Sequence, residues 1–234
     1  ESVDGETVRL RDGSEYTARV VIGAGGHNDP LRKSEWKVKS LNIPVKFALM
    51  SGEFEDALEL HFGSVAPGGY AWKFPKQGGA NIGLGIQTAL ARGKSLNEYS
   101  EEFVSRYEGR IEFRGAGSLP MSGSIDSFVK GKHLLVGDAA GMVLPSNGAG
   151  ITIAMIGGRI AGQVVAEHLR DGTPLSEYEV RWEAQMGKVM RNSKRAFRLG
   201  SLLFRSPDWL LSLTFNRLTK PLIWRAVTCR PLIG

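Results

Sequence analysis

The chain has almost no cysteine and no long hydrophobic run, and each absence narrows what it can be. Cys229 is the single cysteine among 234 residues, so an internal disulfide is excluded and a reducing compartment such as the cytoplasm is expected. No apolar run reaches the ~18 residues that a membrane-spanning helix needs. There is no signal peptide, internal repeat or low-complexity tract, and because the first residue is Glu1 rather than Met we expect a fragment or a processed chain.

Motifs of several enzyme classes are missing as well. There is no G-x-S-x-G nucleophile elbow, and the histidines lack the spacing of metal ligands, so neither hydrolase nor metal chemistry is predicted. The four histidines are His27, His61, His133 and His168. The motif G-x-G-x-x-G, which holds a pyrophosphate at the start of a βαβ unit, is also absent. The nearest match, "GAGGHN" at residues 23–28, lacks the third glycine.

The composition is that of an ordinary globular protein, but its net charge of +6 is concentrated at the carboxyl end. Residues 188–234 carry ten basic side chains and one acidic side chain, which gives +9, whereas the rest carries 20 basic and 23 acidic residues, which gives −3. The basic residues are Lys188, Arg191, Lys194, Arg195, Arg198, Arg205, Arg217, Lys220, Arg225 and Arg230. A nucleic acid, an anionic membrane surface or a solvated helical face would each account for this tail.

An aromatic strand lies within "PGGYAWKFPKQGGANIGLGI", residues 67–86. Tyr70, Trp72 and Phe74 occupy every second position, so they share one face of an extended strand that Pro75 ends or marks as an edge. A second strand follows a turn at residues 76–79. The aromatic face is either buried in a core or forms the wall of an apolar pocket, and the strand pattern alone leaves both possibilities open.

Further elements follow from periodicity and capping signals. Ser95 and Glu98 form a capping box that predicts a helix over residues 95–107. Strands are predicted at residues 20–24, 45–51, 57–62, 116–121 and 134–136, with a hairpin turning at Asp12-Gly13. Helices are predicted over residues 151–169 and 176–197, followed by shorter amphipathic pieces. In the first of these helices one stripe is formed by Ile151, Met155, Gly158, Ala161, Val165 and Leu169, and Gly158 and Gly162 would permit close approach of another backbone.

The segment "HLLVGDAAGMVLPSNGAGITIAMIGGRIAG", residues 133–162, combines a short strand, Gly137-Asp138 and a helix led by Gly148 and Gly150. The N-terminus of a helix presents unpaired N–H groups and a partial positive charge, so it can hold an anion or a polarised carbonyl. Glycines there let a flat ligand touch the backbone, and Asp138 could accept hydrogen bonds from a sugar hydroxyl. Asp138 taken alone is equally typical of a loop cap.

Both segments resemble a known family. The first resembles the second flavin motif of flavoprotein monooxygenase-like reductases, and its part "LPSNGAGITIAMIGGRIAG" is most similar to archaeal geranylgeranyl reductases. "PGGYAWKFP" agrees at every specified position with the P-x-x-Y-x-W-x-F-P motif of geranylgeranyl reductases, which hydrogenate isoprenoid chains. "GAGGHN" resembles the later G-A-D-G element of this superfamily, with Gly25 where Asp is usual.

The resemblance implies a reductase of carbon–carbon double bonds in geranylgeranyl chains, acting in membrane lipid biosynthesis with FAD. The implied FAD-binding residues are Gly137, Asp138, Ala139, Gly148, Ala149, Gly150 and Ile151. The implied substrate-binding residues are Tyr70, Trp72, Phe74 and Pro75. No catalytic acid stands out, since a pocket-lining position suits Tyr70 better. The electron donor, ferredoxin or NAD(P)H, stays open because the G-x-G-x-x-G motif is absent.

The implied fold is mixed α/β, with a partial FAD-binding Rossmann-like domain, an antiparallel-sheet substrate region and a helical carboxyl-terminal region. FAD-binding segments are expected at residues 1–43 and 129–172, the substrate region at 44–128 and the helical region at 173–234. Because the first dinucleotide-binding half is absent, we expect the carboxyl-terminal two-thirds or so of a longer enzyme.

Two other functions remain open from the sequence. One is a flavin-dependent hydroxylase or halogenase of the same superfamily, and the other is a non-catalytic lipid-binding protein of the membrane surface. The tail interleaves basic residues with Trp and Leu, which suits a peripheral position on an anionic membrane. No nucleic-acid motif accompanies it, so a nucleic-acid partner is not expected.

Overall fold

The computed structural model describes residues 2–204 and 206–231, which form two compact units. The first unit contains the residues up to Leu41, Pro120–Phe197 and the residues from Arg225 onward, and the second contains Asn42–Leu119 and Arg198–Trp224. The expected mixed α/β fold with an antiparallel sheet region is confirmed. The predicted domain boundaries remain predictions. The compact units change at positions 41/42 and 119/120 and divide the carboxyl-terminal region between them.

The described residues contain eleven strands and six α-helices. The strands are β1 (Ser2–Asp4), β2 (Thr7–Arg9), β3 (Glu15–Thr17), β4 (Val21–Gly23), β5 (Asn42–Ser51), β6 (Glu59–His61), β7 (Tyr70–Lys76), β8 (Gly79–Gly85), β9 (Arg110–Pro120), β10 (Val129–Lys130) and β11 (His133–Leu135). The helices are α1 (Leu96–Val104), α2 (Ile151–Asp171), α3 (Glu177–Trp182), α4 (Lys188–Leu203), α5 (Asp208–Thr214) and α6 (Lys220–Val227). The predicted strands and helices are confirmed, with ends that differ by up to six residues, except that the single helix predicted over residues 176–197 is divided into α3 and α4 by a π-helical segment, Glu183–Gly187.

The first unit has two small sheets and a helical layer. Strands β1, β2 and β3 form an antiparallel sheet whose β2–β3 hairpin turns at Asp12-Gly13, as predicted. Strand β11 pairs in parallel with β4 and antiparallel with β10. Helices α2 and α3 cover the second sheet, and the hydroxyl of Tyr178 donates to the carbonyl of Leu135 at 3.1 Å. The core of this unit therefore lies between β11 and the two helices.

Helix α2 buries a different face from the one predicted. Its buried residues are Ile153, Gly157, Ile160, Ala161 and Val164. Ile151 and Met155, placed on the predicted stripe, are 83% and 70% exposed. The close approach falls at Gly157, where a Cβ would lie 2.5 Å from the sulfur of Met142, whereas Gly158 and Gly162 have open space. The prediction was wrong because this helix carries two apolar stripes at helical spacing, and only tertiary packing chooses between them.

The second unit is built on a five-stranded sheet with the order β6-β7-β8-β5-β9. Helix α1 packs on one face of this sheet through Tyr99 and Phe103, against Ile82 and Leu84 of β8. The predicted capping box is confirmed, since Ser95 and Glu98 bond reciprocally at the start of α1. The opposite face of the sheet lacks that helix and carries the aromatic residues of β7.

Candidate functional site

Two parallel strands end side by side in the first unit. Strands β4 and β11 are in register, with Gly23 opposite Leu135. The short turns that follow them, Gly26–Asn28 and Gly137–Ala140, contact each other. Open α/β sheets bind ligands at the carboxyl ends of neighbouring parallel strands. The two glycine-containing segments singled out from the sequence therefore meet at one edge of this sheet.

Asp138 is the charged side chain of the second turn. It is half-buried, and burial raises the pKa of its carboxyl group against the opposing effect of His27. Its Oδ1 atom lies 3.6 Å from the position that a Cβ on Gly150 would occupy, so the carboxylate stands beside the start of α2. No donor within residues 2–204 or 206–231 hydrogen-bonds to this carboxylate. The carboxylate is thus able to accept a hydrogen bond from a ligand.

The loop before α2 keeps the helix start open. Gly148 has φ +74°, a conformation that favours glycine. Asn147 accepts a hydrogen bond from the backbone N–H of Ala149 at 2.9 Å, which shapes the turn. Gly150, the N-cap of this 21-residue helix, provides no side-chain cap. The first N–H groups of α2 and its partial positive charge can therefore act on a ligand.

The carboxyl-terminal residues of the first unit hold this loop in place. Asn147 donates through its amide to the carbonyl of Val227 at 2.9 Å. The hydroxyl of Ser146 lies 2.9 Å from that of Ser193 and 3.3 Å from the sulfur of Cys229. These contacts join residues 47 to 83 positions apart in sequence, so no local pattern could have indicated them.

The aromatic residues of β7 lie in the second unit. Consecutive ring centroids of Tyr70, Trp72 and Phe74 are 5.8 and 5.9 Å apart, and all three side chains are half-buried. The intervening Ala71 and Lys73 are buried on the opposite face, against which α1 packs. The half-burial of these rings favours the pocket wall over the buried core, and the pocket itself stays a prediction. We call the half-buried side of the sheet the aromatic face.

Glycines of β8 form the floor of the aromatic face. Tyr70 is paired with Gly85 and Trp72 with Gly83. A Cβ on Gly83 would lie 2.6 Å from Cζ2 of Trp72, so the indole occupies the space of the missing side chain. The indole N–H donates to Oδ1 of Asn81 at 2.8 Å, which fixes the ring. The result is an apolar surface of neighbouring aromatic rings backed by glycine.

Pro75 lies at a local edge of the sheet. It is paired with Ala80 of β8, and β7 continues to Lys76. On its other side β6 covers only residues 71–73, so Pro75 has no neighbour there that needs its missing N–H. Of the two interpretations offered from the sequence, the edge is confirmed and the strand end is wrong.

A polar cluster occupies the opposite side of β7. The ammonium of Lys73 lies 2.5 Å from Oε1 of Glu59, while the hydroxyl of Tyr107 donates to Oε2 at 2.9 Å. His61 lies 3.0 Å from the same carboxylate. The hydrogen bond from Lys73 lowers the pKa of Glu59 to about 2. Burial, together with Glu59, raises the pKa of Tyr107 to about 12. Because Lys73 points away from the aromatic face, we assign this cluster to stability.

The described residues contain neither a cluster of metal ligands nor a helix that could span a membrane. In the part of the chain that the structure describes, no three His, Cys, Asp or Glu residues lie together as a metal site would require. Among the helices of residues 2–204 and 206–231, none combines the length and hydrophobicity needed to traverse a bilayer.

Known proteins similar to this chain share both its sequence and its fold. A family model described as the geranylgeranyl reductase catalytic domain matches residues 41–116, which include the aromatic face. Digeranylgeranylglycerophospholipid reductase 2 of Methanothermobacter thermautotrophicus is 37% identical in an alignment of 206 residues that covers 82% of this chain and 53% of that protein. The chain belongs to the geranylgeranyl reductase family. It spans about half the length of the curated relatives it matches.

Solved structures show the same fold as this chain. A geranylgeranyl bacteriochlorophyll reductase-like protein of Thermoplasma acidophilum aligns with a TM-score of 0.71 at 23% identity, over 94% of this chain and 57% of its own. A probable FAD-dependent monooxygenase of Pseudomonas aeruginosa aligns with a TM-score of 0.62 at 18% identity, over 90% of this chain and 63% of its own. At these identities the likeness concerns the fold.

The aromatic face of this chain extends beyond the motif residues. The register of β5 against β8 adds Val45, Phe47 and Leu49 to the same side. At the Tyr70 end, Phe62 stacks on two aromatic rings, Phe204 at 5.9 Å and Phe215 at 5.3 Å. Sequence reasoning missed these residues. The register of the hairpin could have placed Gly83 and Gly85 beneath the rings, but nothing local could have placed Phe204 or Phe215.

Proposed function

We propose that the protein containing this chain is an FAD-dependent reductase that hydrogenates double bonds of geranylgeranyl chains in membrane lipid biosynthesis. The observation that carries the proposal is the aromatic face, which is half-buried and lies within the stretch that matches the catalytic-domain model. The names of the curated relatives, digeranylgeranylglycerophospholipid reductases, support the same substrate class.

The aromatic face suits a polyprenyl chain for physical reasons. Such a chain is long, flat at each double bond and without polar groups, so it gains by burial against flat apolar surface. Tyr70, Trp72, Phe74 and Pro75 supply that surface, and the hydrogen bond from Trp72 to Asn81 keeps the central ring in one orientation. A preformed surface loses little conformational entropy when it binds.

The first unit has residues that fit FAD. Asp138 offers an unpartnered carboxylate, Gly150 leaves the start of α2 uncapped, and Gly148 removes a side chain from the loop. The residues that would hold the cofactor are Gly137, Asp138, Ala139, Gly148, Ala149, Gly150 and Ile151. When bound, FAD supplies a hydride for an alkene. The positive end of α2 would favour negative charge on the cofactor.

The function is tested on the native protein that contains this chain. Reduction by dithionite in the presence of a digeranylgeranylglycerophospholipid should add two hydrogens per double bond, which mass spectrometry of the lipid measures. Turnover that instead consumes oxygen and modifies an aromatic substrate would contradict the proposal and favour a hydroxylase or halogenase. A purified protein that retains no flavin would favour a lipid-binding protein.

Replacing Asp138 with alanine should weaken FAD binding to the native protein. The expected loss is about 1–3 kcal/mol, or roughly 5- to 150-fold in affinity, because a hydrogen bond to a partly buried carboxylate disappears. Fluorescence titration of the apoprotein with FAD measures it, and Asp4→Ala, an exposed carboxylate of the same unit, is the control. Equal affinities of wild type and Asp138→Ala would overturn the assignment of Asp138.

We also propose that the protein associates with an anionic membrane surface. In the second unit a run of large apolar residues is exposed beside basic side chains. The apolar residues are Leu199, Leu202, Leu203, Trp209, Leu210, Leu213, Phe215, Leu218, Leu222 and Trp224. The exposed basic residues within the same run are Arg198, Arg217 and Lys220, and Arg205 lies outside the described residues. Tryptophan rings at headgroup depth with cations on lipid phosphates are typical of peripheral binding.

The native protein is therefore expected to sediment with phosphatidylglycerol vesicles at low salt and to be released as salt rises. Because each cation near the surface contributes about 1 kcal/mol, reversing both Arg217 and Lys220 to glutamate should weaken binding at least roughly tenfold. Reversing Arg170, an exposed arginine of the first unit, is the matched control. Vesicle binding that is absent in the wild type, or equal in all three proteins, would show that this surface is not the membrane contact.

A further inference from the structure

A cavity of about 400 Å³ lies within the first unit, and none of the residues assigned above to FAD or to the lipid lines it. Its lining includes Arg32 and Trp36 from one helical turn, Ser124 and Asp126 from the loop before β10, and Lys194 from α4. This volume falls in the range of ~300–1,000 Å³ that small-molecule sites occupy. The cavity therefore has room for a ligand larger than a water molecule.

Arg32 is the unusual residue of this cavity. Its side chain is buried, with 4% of the residue exposed, and its Nη1 donates to the carbonyl of His27 at 3.4 Å. Its Nε and Nη2 have no hydrogen-bond partner. The carboxylate of Asp29 lies close by, but its oxygens accept from the backbone N–H groups of Gly25 and of Arg32 itself. Burial lowers the pKa of the Arg32 guanidinium, with Asp29 opposing the shift.

The two unpartnered atoms define one edge of the guanidinium. Nε–H and Nη2–H point in the same direction, and this pair of parallel donors matches two oxygens of a phosphate or carboxylate. A buried charged donor without a partner is unfavourable, so buried arginines are found paired. We propose that this cavity binds the phosphate group of a small soluble ligand, with the free edge of Arg32 as its bidentate donor.

The other lining residues suit a phosphorylated ligand. Lys194 brings a second cation and is held by a hydrogen bond from its ammonium to the carbonyl of Ser124 at 2.8 Å. The lining thus contains two cations and one carboxylate, that of Asp126. Trp36 is anchored by its indole N–H, which donates to the carbonyl of Ser127 at 2.7 Å, and it provides an apolar wall for the rest of the ligand. A rotation that turns the free edge of Arg32 toward a bound ligand would give up the long hydrogen bond from Nη1 to His27 and none at Nε or Nη2.

The test is a thermal unfolding series in a buffer without oxyanions, with inorganic phosphate and pyrophosphate as the added probes. Binding to the folded state alone raises the melting temperature with ligand concentration. The wild type should show a saturable rise, Lys194→Gln should need at least ten times more ligand, and Arg32→Met should show none. Arg170→Gln, which removes an exposed arginine, should behave as the wild type. Without ligand, Arg32→Met should unfold no lower than the wild type, because it removes an unpaired buried charge.

Several results would overturn the proposal. The first is a wild type whose melting temperature neither phosphate nor pyrophosphate raises. The second is an equal rise in melting temperature in wild type and Lys194→Gln. The third is stabilisation by phosphatidylglycerol vesicles but by neither free anion. If Arg32→Met does not fold, calorimetric titration of Lys194→Gln against the wild type decides the question alone. None of these readouts depends on flavin or on lipid turnover, so the result is independent of the proposed function.

Discussion

Replacing Trp72 with alanine should reduce turnover of a geranylgeranyl lipid by roughly 100-fold, because a substrate that loses its central support is misplaced relative to the reacting group. Trp72 stands between Tyr70 and Phe74, with ring centroids 5.8 and 5.9 Å away, so its removal divides the aromatic face. Reduction of the flavin by dithionite should be unchanged, since it does not involve the lipid. Steady-state lipid kinetics and anaerobic flavin absorbance measure the two effects separately.

Two further variants distinguish the loss of the aromatic ring at position 72 from its displacement. Trp72→Phe keeps an aromatic ring but loses the hydrogen bond to Asn81 and part of the ring area over Gly83, so most of the activity should remain. Gly83→Ala keeps the indole but adds a Cβ 2.6 Å from Cζ2 of Trp72 and 2.6 Å from the carbonyl of Lys46, so the ring must move. Turnover should fall in Gly83→Ala and not in Trp72→Phe. A folded Trp72→Ala protein with wild-type lipid kinetics would leave these residues as packing only.

Local signals predicted the elements of the second unit well. The alternation of Tyr70, Trp72 and Phe74 gave the correct strand and the correct shared face, because a period of two admits one arrangement. The capping box at Ser95 placed the start of α1, since it depends only on residues three positions apart. Such features can be predicted because all the atoms that decide them lie close together in sequence.

Features that depend on packing between distant segments could not be predicted. Helix α2 has two apolar stripes, and the sulfur of Met142 against Gly157 decides which is buried. The loop before α2 is held by Val227 and Cys229, about 80 residues away. The FAD-binding assignment of Asp138 and its neighbours stays a prediction from the family motif. What the structure adds is that the Asp138 carboxylate has no partner among the described residues.

The residues between the aromatic positions of β7 face the opposite side of the sheet and include a buried lysine. Lys73 falls between Trp72 and Phe74 and would ordinarily be predicted at the surface, yet it is 3% exposed. Its ammonium is balanced by Glu59, which β6 places directly opposite it. The same strand therefore combines an open aromatic face with a buried ion pair. The two neighbouring strands decide these environments, β8 through its glycines and β6 through Glu59.

Replacing Glu59 with leucine should lower the free energy of unfolding by about 3–5 kcal/mol, the scale for leaving a buried charge without its partner. Lys73 would keep only a 3.3 Å hydrogen bond to the carbonyl of Glu55. Lys73→Met should cost less, because Glu59 is partly exposed and keeps its bonds to Tyr107 and His61. The double variant, which has neither charge, should recover much of the loss. Denaturant unfolding of the four proteins measures this coupling.

The same pair predicts how stability depends on pH. The pKa of Glu59 is lowered in the fold to about 2 from an ordinary value of 4.5, first by the hydrogen bond from Lys73. A carboxyl group with a lowered pKa stabilises the fold above its unfolded value and loses this contribution as pH falls toward its folded value. Wild type should therefore lose stability between pH 4.5 and about 2 more steeply than Glu59→Leu. Two results would show that the ion pair does not stabilise the second unit. One is acid-unfolding curves that run parallel for wild type and Glu59→Leu, and the other is a double variant whose loss of stability equals the sum of the losses in Glu59→Leu and Lys73→Met.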